Sequence, residues 1–137
     1  MEINLEAEEY LMAAPLHVLV VEDSPVAQTV AKFHLIKLGC IVDLAENGDV
    51  ALAKSRTIKY DLILMDIGLG NGPDGFEVTS KIKQPCEVNQ TTPIMAVTAH
   101  GESEYIDKAF ACGMARYFNK PITPTTVKEI VDYLKVG

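Results

Sequence analysis

The chain has 137 residues, of which 48% are hydrophobic and 23% charged, so it can bury a core as one ordinary domain and is not a disordered chain. The formal net charge is −7, and Glu2, Glu6, Glu8 and Glu9 supply four of those charges, which excludes the clustered basic surface that nucleic acid requires. No apolar run approaches the ~20 residues of a membrane span, and the N-terminus lacks the basic flank and apolar stretch of a secretory signal.

A cytoplasmic location is therefore expected, with no membrane contact by this domain. Cys40, Cys86 and Cys112 are odd in number and form no CxxC pair, so reduced, partly buried thiols are expected rather than disulfides or a zinc site. Residues 1–14 read as a leader or interdomain linker closed by Pro15, and residues 15–137 as one domain.

From Leu16 onward, strand patterns alternate with helix patterns. Residues 16–21, 62–65 and 94–97 are short apolar runs that each end at a polar residue, as strands buried on both faces do. Residues 40–44 form a weaker strand and 115–118 a short fifth one. Between the first two strands, Ala27, Val30, Ala31, His34, Leu35 and Leu38 recur at helical spacing. Ser24 stands at the N-cap, Pro25 at the first helical position, and Gly39 at the stop. Residues 47–56 and 74–83 are two further helices. Tyr105, Ile106, Ala109 and Phe110 mark a fourth helix, and Val127, Ile130, Val131 and Leu134 mark a fifth opened by Thr123 and Pro124. Five strand–helix units in about 120 residues predict an α/β fold, a doubly wound five-stranded parallel sheet with five helices.

Polar residues stand where the apolar strands stop. Glu22 and Asp23 follow the first, Asp66 the third, Thr98 the fourth and Lys120 the fifth. In open parallel sheets, ligands bind outside the carboxyl ends of the strands at the point where strand order reverses. With strand order 2-1-3-4-5, Glu22, Asp23 and Asp66 converge there. Three ionised carboxylates in one cleft need a compensating cation, and Mg²⁺ suits hard oxygen ligands. A carboxylate nucleophile, a divalent metal, a lysine and a hydroxyl together form a phosphoryl-transfer site. Each residue alone has a blander reading as a cap, turn or solvated charge; the ordered set is what carries the inference.

At these residues the sequence resembles the receiver (response-regulator) family of two-component signalling, over essentially all of residues 16–135. The segments VLVVEDSPVAQTV, DLILMDIGL, PIMAVTAH and YFNKPI carry the likeness. The resemblance implies a flavodoxin-like fold and phosphorylation of Asp66. It implies direct Mg²⁺ binding by Asp23, a role for Glu22 at or near the metal, and a metal ligand in the Gly68 carbonyl. Thr98 and Lys120 would contact the phosphoryl group, Tyr117 would be the aromatic switch residue paired with Thr98, and the bond before Pro121 would be cis.

LGCIVDLAENGDVAL and TAHGES are more similar to receivers attached to hybrid histidine kinases than to those fused to DNA-binding outputs. That likeness implies a kinase's phosphohistidine and a histidine phosphotransfer domain as partners, with no nucleic acid bound directly. The surface of the fourth helix, fifth strand and fifth helix would change on phosphorylation and offers a homodimer face.

Two departures from the family pattern stand out. Gly70 occupies a position where proline is common, and residues 68–75 (GLGNGPDG) are glycine-rich, from which a bulged, mobile loop beside the metal is expected. Gly68 and His100 flank the expected phosphoryl group and can influence access of hydrolytic water. His17 and His34 are expected to be structural. Two other readings compete: a receiver-like adaptor that works without phosphorylation, and a small haloacid-dehalogenase-type phosphohydrolase. The second is disfavoured by Gly68, because such enzymes usually carry an acid at that position.

Overall fold

A computed structural model describes residues 15–70, 72–99 and 103–136. The expected leader 1–14 and His100 lie outside the described residues. In chain order the elements are β1 (His17–Val21), α1 (Pro25–Lys37), β2 (Ile41–Ala45), α2 (Gly48–Thr57) and β3 (Leu62–Met65). They continue with α3 (Gly75–Ile82), β4 (Ile94–Thr98), α4 (Ser103–Ala111), β5 (Arg116–Asn119) and α5 (Pro124–Val136). The five strands form one parallel sheet in the order β2-β1-β3-β4-β5, as the sequence predicts.

Local chemistry explains the element ends. The Ser24 hydroxyl accepts from the Ala27 N–H, and Pro25 needs no partner in the first turn. Asn47 and Asp74 cap α2 and α3 by accepting from Val50 N–H and Glu77 N–H, both at 2.9 Å. Gly39, at φ 85°, closes α1. β2 starts one residue later than expected because the Cys40 N–H closes α1, donating to Leu35 O at 3.1 Å. β5 runs one residue further, since Asn119 pairs with Thr98.

Side chains alternate between two cores. Leu19, Val21, Ile63, Met65, Ile94 and Ala96 face α2, α3 and α4. Val18, Val20, Leu62, Leu64, Met95 and Val97 face α1 and α5. β3 and β4 are buried along their whole length, while the edge strands β2 and β5 are only half-buried. This two-sided burial is why the central strands read as unbroken apolar runs. Among the cysteines, Cys40 is buried, Cys112 half-buried and Cys86 exposed, and all three are free.

The end of the sheet opposite the strand C-termini is tied by polar contacts. His17 Nε2 lies 2.9 Å from Asp43 Oδ2, which also accepts from the Tyr60 hydroxyl at 2.8 Å. Burial, with the Asp43 charge beside it, pushes the Tyr60 hydroxyl well above the usual tyrosine range. His34 sits edge-on to Phe33 on α1. Neither histidine is part of the strand-end cleft.

Asn89, 1% exposed, is a hub that joins three segments. Its carbonyl accepts from the Tyr60 N–H and the Thr92 hydroxyl, both at 2.8 Å, and its amide donates to the carbonyls of Ser55 and Ile58. Asn89→Ala strands the Tyr60 N–H and two carbonyls in the interior. It is expected to lower stability by about 2–4 kcal/mol, read by urea denaturation. Because the hub is remote from the strand C-termini, chemistry there is expected to survive at temperatures where the variant is folded.

Candidate functional site

The cleft is assembled by backbone ladders that run one residue past their strands. The Glu22 N–H donates to Ala45 O at 3.0 Å, the Asp66 N–H to Val21 O at 3.0 Å, and the Lys120 N–H to Thr98 O at 2.9 Å. Each functional residue is therefore fixed by its neighbour strand at the moment the chain leaves the sheet. β1 lies between β2 and β3, so its end is the point where connections diverge to opposite sides.

Glu22 and Asp66 are buried, at 5% and 6% exposure, whereas Asp23 is exposed. One oxygen from each of the three carboxylates lies within 4.8 Å of the others. Lys120 reaches in from the β5 end and donates to Asp66 Oδ2 at 3.0 Å and to Glu22 Oε1. The other Asp66 oxygen accepts from the Gly68 N–H at 2.9 Å. Glu22 Oε2 accepts from the Ser24 N–H at 3.0 Å.

Burial raises the Glu22 carboxyl above its ordinary range, a push reinforced by the Asp66 charge and only partly offset by Lys120 and the Ser24 N–H. Burial alone would pull Lys120 down, but its contacts with Glu22 and Asp66 win and hold its ammonium more firmly protonated than usual. The single ammonium contacts two of the three acids but offsets one charge, so with all three ionised the cluster carries two negative charges in excess.

The donor set fits a hard divalent cation. All three groups are carboxylates, two are sequestered from water, and one oxygen of each already faces a common point. A cleft of about 230 Å³, floored by Val20, Ala31, Leu64 and Val97, opens beside Asp66 and Lys120.

Thr98 ends β4 with its side chain fully buried, next to the strand end that Asp66 leaves. Tyr117 is half-buried on β5, in register with Ala96, and packs on the α2–α3–α4 core. The Lys120–Pro121 peptide is cis. Gly68 is exposed next to Asp66. Glu22, Asp23, Asp66, Gly68 and Lys120 come together, and Thr98 and Tyr117 stand along the two strands that border them.

The glycine-rich segment is tied to its surroundings at both ends. A Cβ at Gly75 would lie 2.6 Å from Asp66 O, and one at Gly48 would lie 2.6 Å from Pro73 O. Glycine at 48 and 75 thus permits close backbone approach between α2, α3 and the end of β3. Gly70 N–H donates to Asp23 Oδ2 at 3.1 Å. These are the contacts of the described residues of the segment; Asn71 lies outside them.

A doubly wound parallel sheet with an acid cluster and a lysine at its switch point defines a class of phosphoryl-handling α/β proteins. The response regulator receiver domain model matches residues 18–132, and the chain belongs to that family. It is 35% identical over 133 residues to the sensor protein EvgS of Escherichia coli (strain K12), covering 96% of this chain and 11% of that protein. It is 36% identical over 110 residues to the transcriptional regulatory protein ResD of Bacillus subtilis (strain 168), covering 80% of this chain and 44% of that one. The chain thus spans less than half of either relative. The receiver domain of sensor histidine kinase PA1611 from Pseudomonas aeruginosa PAO1, solved with a magnesium ion coordinated in its active-site cleft, superposes with a TM-score of 0.81. That match has 31% identity and covers 90% of this chain and 100% of that one.

Sequence reasoning missed one surface. Val26, Val30 and Phe33 form an outward stripe on α1, flanked by Ile36, and Val26 is 74% and Phe33 57% exposed. Val26 and Val30 also border the cleft. The signal was present: α1 carries apolar residues at both its inward and its outward positions, and Val30, read with the inward set, is exposed and belongs to the outward stripe.

Proposed function

We propose that this domain accepts a phosphoryl group on Asp66 from a phosphohistidine, in a reaction that depends on Mg²⁺, and works in a cytoplasmic phosphorelay. The single observation that carries the reading is the convergence of three carboxylates and Lys120 from separate strand ends into one cleft.

Asp23 and Asp66, with Glu22 beside them and the Gly68 carbonyl, are the groups that would hold the metal. When bound, Mg²⁺ would supply positive charge to the transferring phosphoryl oxygens. An Asp66 carboxylate oxygen attacks phosphorus; the O–P bond forms as the P–N bond breaks, and the imidazole departs and takes up a proton. Lys120 already touches Asp66 and moves onto the phosphoryl oxygens, and the Thr98 hydroxyl donates to the same group. Movement of Thr98 frees space for Tyr117, so that the face of α4, β5 and α5 changes and is read by partners, a second copy included. Gly68 and His100, two residues past Asp66 and Thr98 in the sequence, would influence the access of water to the product.

Similarity to histidine kinases supports a kinase's phosphohistidine and a histidine phosphotransfer domain as the partners. The apolar stripe on α1 borders the cleft and suits a donor protein that must present its histidine to Asp66. Phe33→Asp is therefore expected to slow transfer from a protein phosphodonor roughly 10- to 30-fold while leaving reaction with a small phosphodonor unchanged. Equal rates from the protein donor for both forms would remove α1 from the docking surface.

Incubation with a small phosphodonor and Mg²⁺, followed by intact mass measurement, tests the central claim. A phosphoryl adduct is expected. Its absence from a folded, metal-binding wild type would favour the phosphorylation-independent adaptor.

A further inference from the structure

The acid cluster has an asymmetry that Lys120 does not resolve. Glu22 and Asp66 are buried and share the ammonium, but Asp23 is exposed and makes no ion pair among the described residues. An exposed aspartate ordinarily samples several rotamers, and each must be given up when its carboxylate is fixed. Here the carboxylate is held by one donor, the Gly70 N–H at 3.1 Å, from a residue 47 positions away.

Nearby in the chain, the Gly68 N–H donates to Asp66 Oδ1, and the Pro73 backbone lies so near Gly48 that a Cβ there would stand 2.6 Å from Pro73 O. The side chain of residue 70 matters as well, because a Cβ there would stand 3.2 Å from Asp23 Oδ2. Glycine gives the Asp23 carboxylate a backbone donor and leaves it room, where an added Cβ would require it to shift by a few tenths of an ångström. Proline in its place would have no N–H to give.

We propose that the Gly70 N–H is a positioning group for metal binding: it holds Asp23 turned toward Glu22 and Asp66, so that a divalent cation meets a prearranged carboxylate set. The inference rests on the Mg²⁺ reading of the cleft. Partners of metal ligands commonly act this way, and their loss typically weakens metal affinity about 10- to 100-fold.

The test is calorimetric titration of the full, unphosphorylated chain with Mg²⁺, comparing wild type, Gly70→Ala and Gly70→Pro. Gly70→Pro deletes the donor and is expected to weaken Mg²⁺ binding about 10-fold or more. Gly70→Ala keeps the donor but crowds Asp23, and is expected to lose less. Thermal unfolding of each metal-free variant separates a loss of affinity from a loss of fold. If Gly70→Pro does not fold, an ester analogue carrying glycolate at position 70 removes the N–H alone and enters the same comparison. Wild-type affinity in a folded protein without the donor overturns the positioning role. Failure of the wild type itself to bind Mg²⁺ overturns the reading of the cleft instead, so the two failures are distinct.

Discussion

Asp66→Asn is expected to abolish the adduct of about 80 Da that the wild type gains from a small phosphodonor and Mg²⁺. The carboxylate is the proposed nucleophile, and a side-chain amide does not form a comparable acyl phosphate. The fold should persist. The carbonyl of the introduced amide can still accept the Gly68 N–H that Asp66 Oδ1 accepts, and Lys120 retains its contact with Glu22. Two stability effects then oppose each other: Lys120 loses one partner, and Glu22 loses a repelling neighbour. Their sum is expected to stay within about 1 kcal/mol. Intact mass, circular dichroism and peptide mapping of the wild type together decide the matter. An adduct that persists in Asp66→Asn at wild-type extent would move the phosphoacceptor to another carboxylate.

Asp23→Asn separates metal binding from folding, and its two effects run in opposite directions. Without metal the variant should be more stable than the wild type. One of three carboxylates whose oxygens lie within 4.8 Å of one another loses its charge, while the amide carbonyl can still accept from the Gly70 N–H. Because Asp23 is exposed and screened, the gain is on the order of 1 kcal/mol, roughly 3–5 °C for a chain of this size. With metal the order reverses. A cation at 100 times its dissociation constant stabilises the wild type by about 2.7 kcal/mol, and Asp23→Asn should gain almost none of this. Phosphorylation of the variant should slow about 100-fold or more. Thermal melts with and without Mg²⁺ measure both effects. A metal-free midpoint below that of the wild type would mean that the acids do not repel as their proximity implies.

The strand ends were legible because two-sided burial leaves only apolar residues inside each central strand, so that the first polar residue marks the exit. Glu22, Asp66 and Thr98 were found by that break, Lys120 by its place after the edge strand β5, and β3 matches its expected span of 62–65. Helix starts were legible through caps, since the hydroxyl or carboxyl of Ser24 and Asp74 serves an N–H only three residues away. Contacts of this kind are local, and a sequence displays local chemistry directly.

Long-range pairings were not legible. Asn89 in the segment between α3 and β4 looks like an ordinary loop residue, yet it joins Ser55, Ile58, Tyr60 and Thr92. The Gly70–Asp23 bond spans 47 residues, and Lys120 meets Asp66 across 54. The outward apolar stripe of α1 was hidden because periodicity reports which residues share a face, not which face the sheet covers.

The sequence by itself determined the alternation of strands and helices, their caps, and the residue types available at each strand exit, because these depend on neighbours within a turn or a pleat. Only the tertiary structure decided that Lys120 bridges Glu22 and Asp66, that Gly70 holds Asp23, and that Phe33 faces outward. Those facts depend on distances between segments far apart in the chain, which the sheet order and register fix.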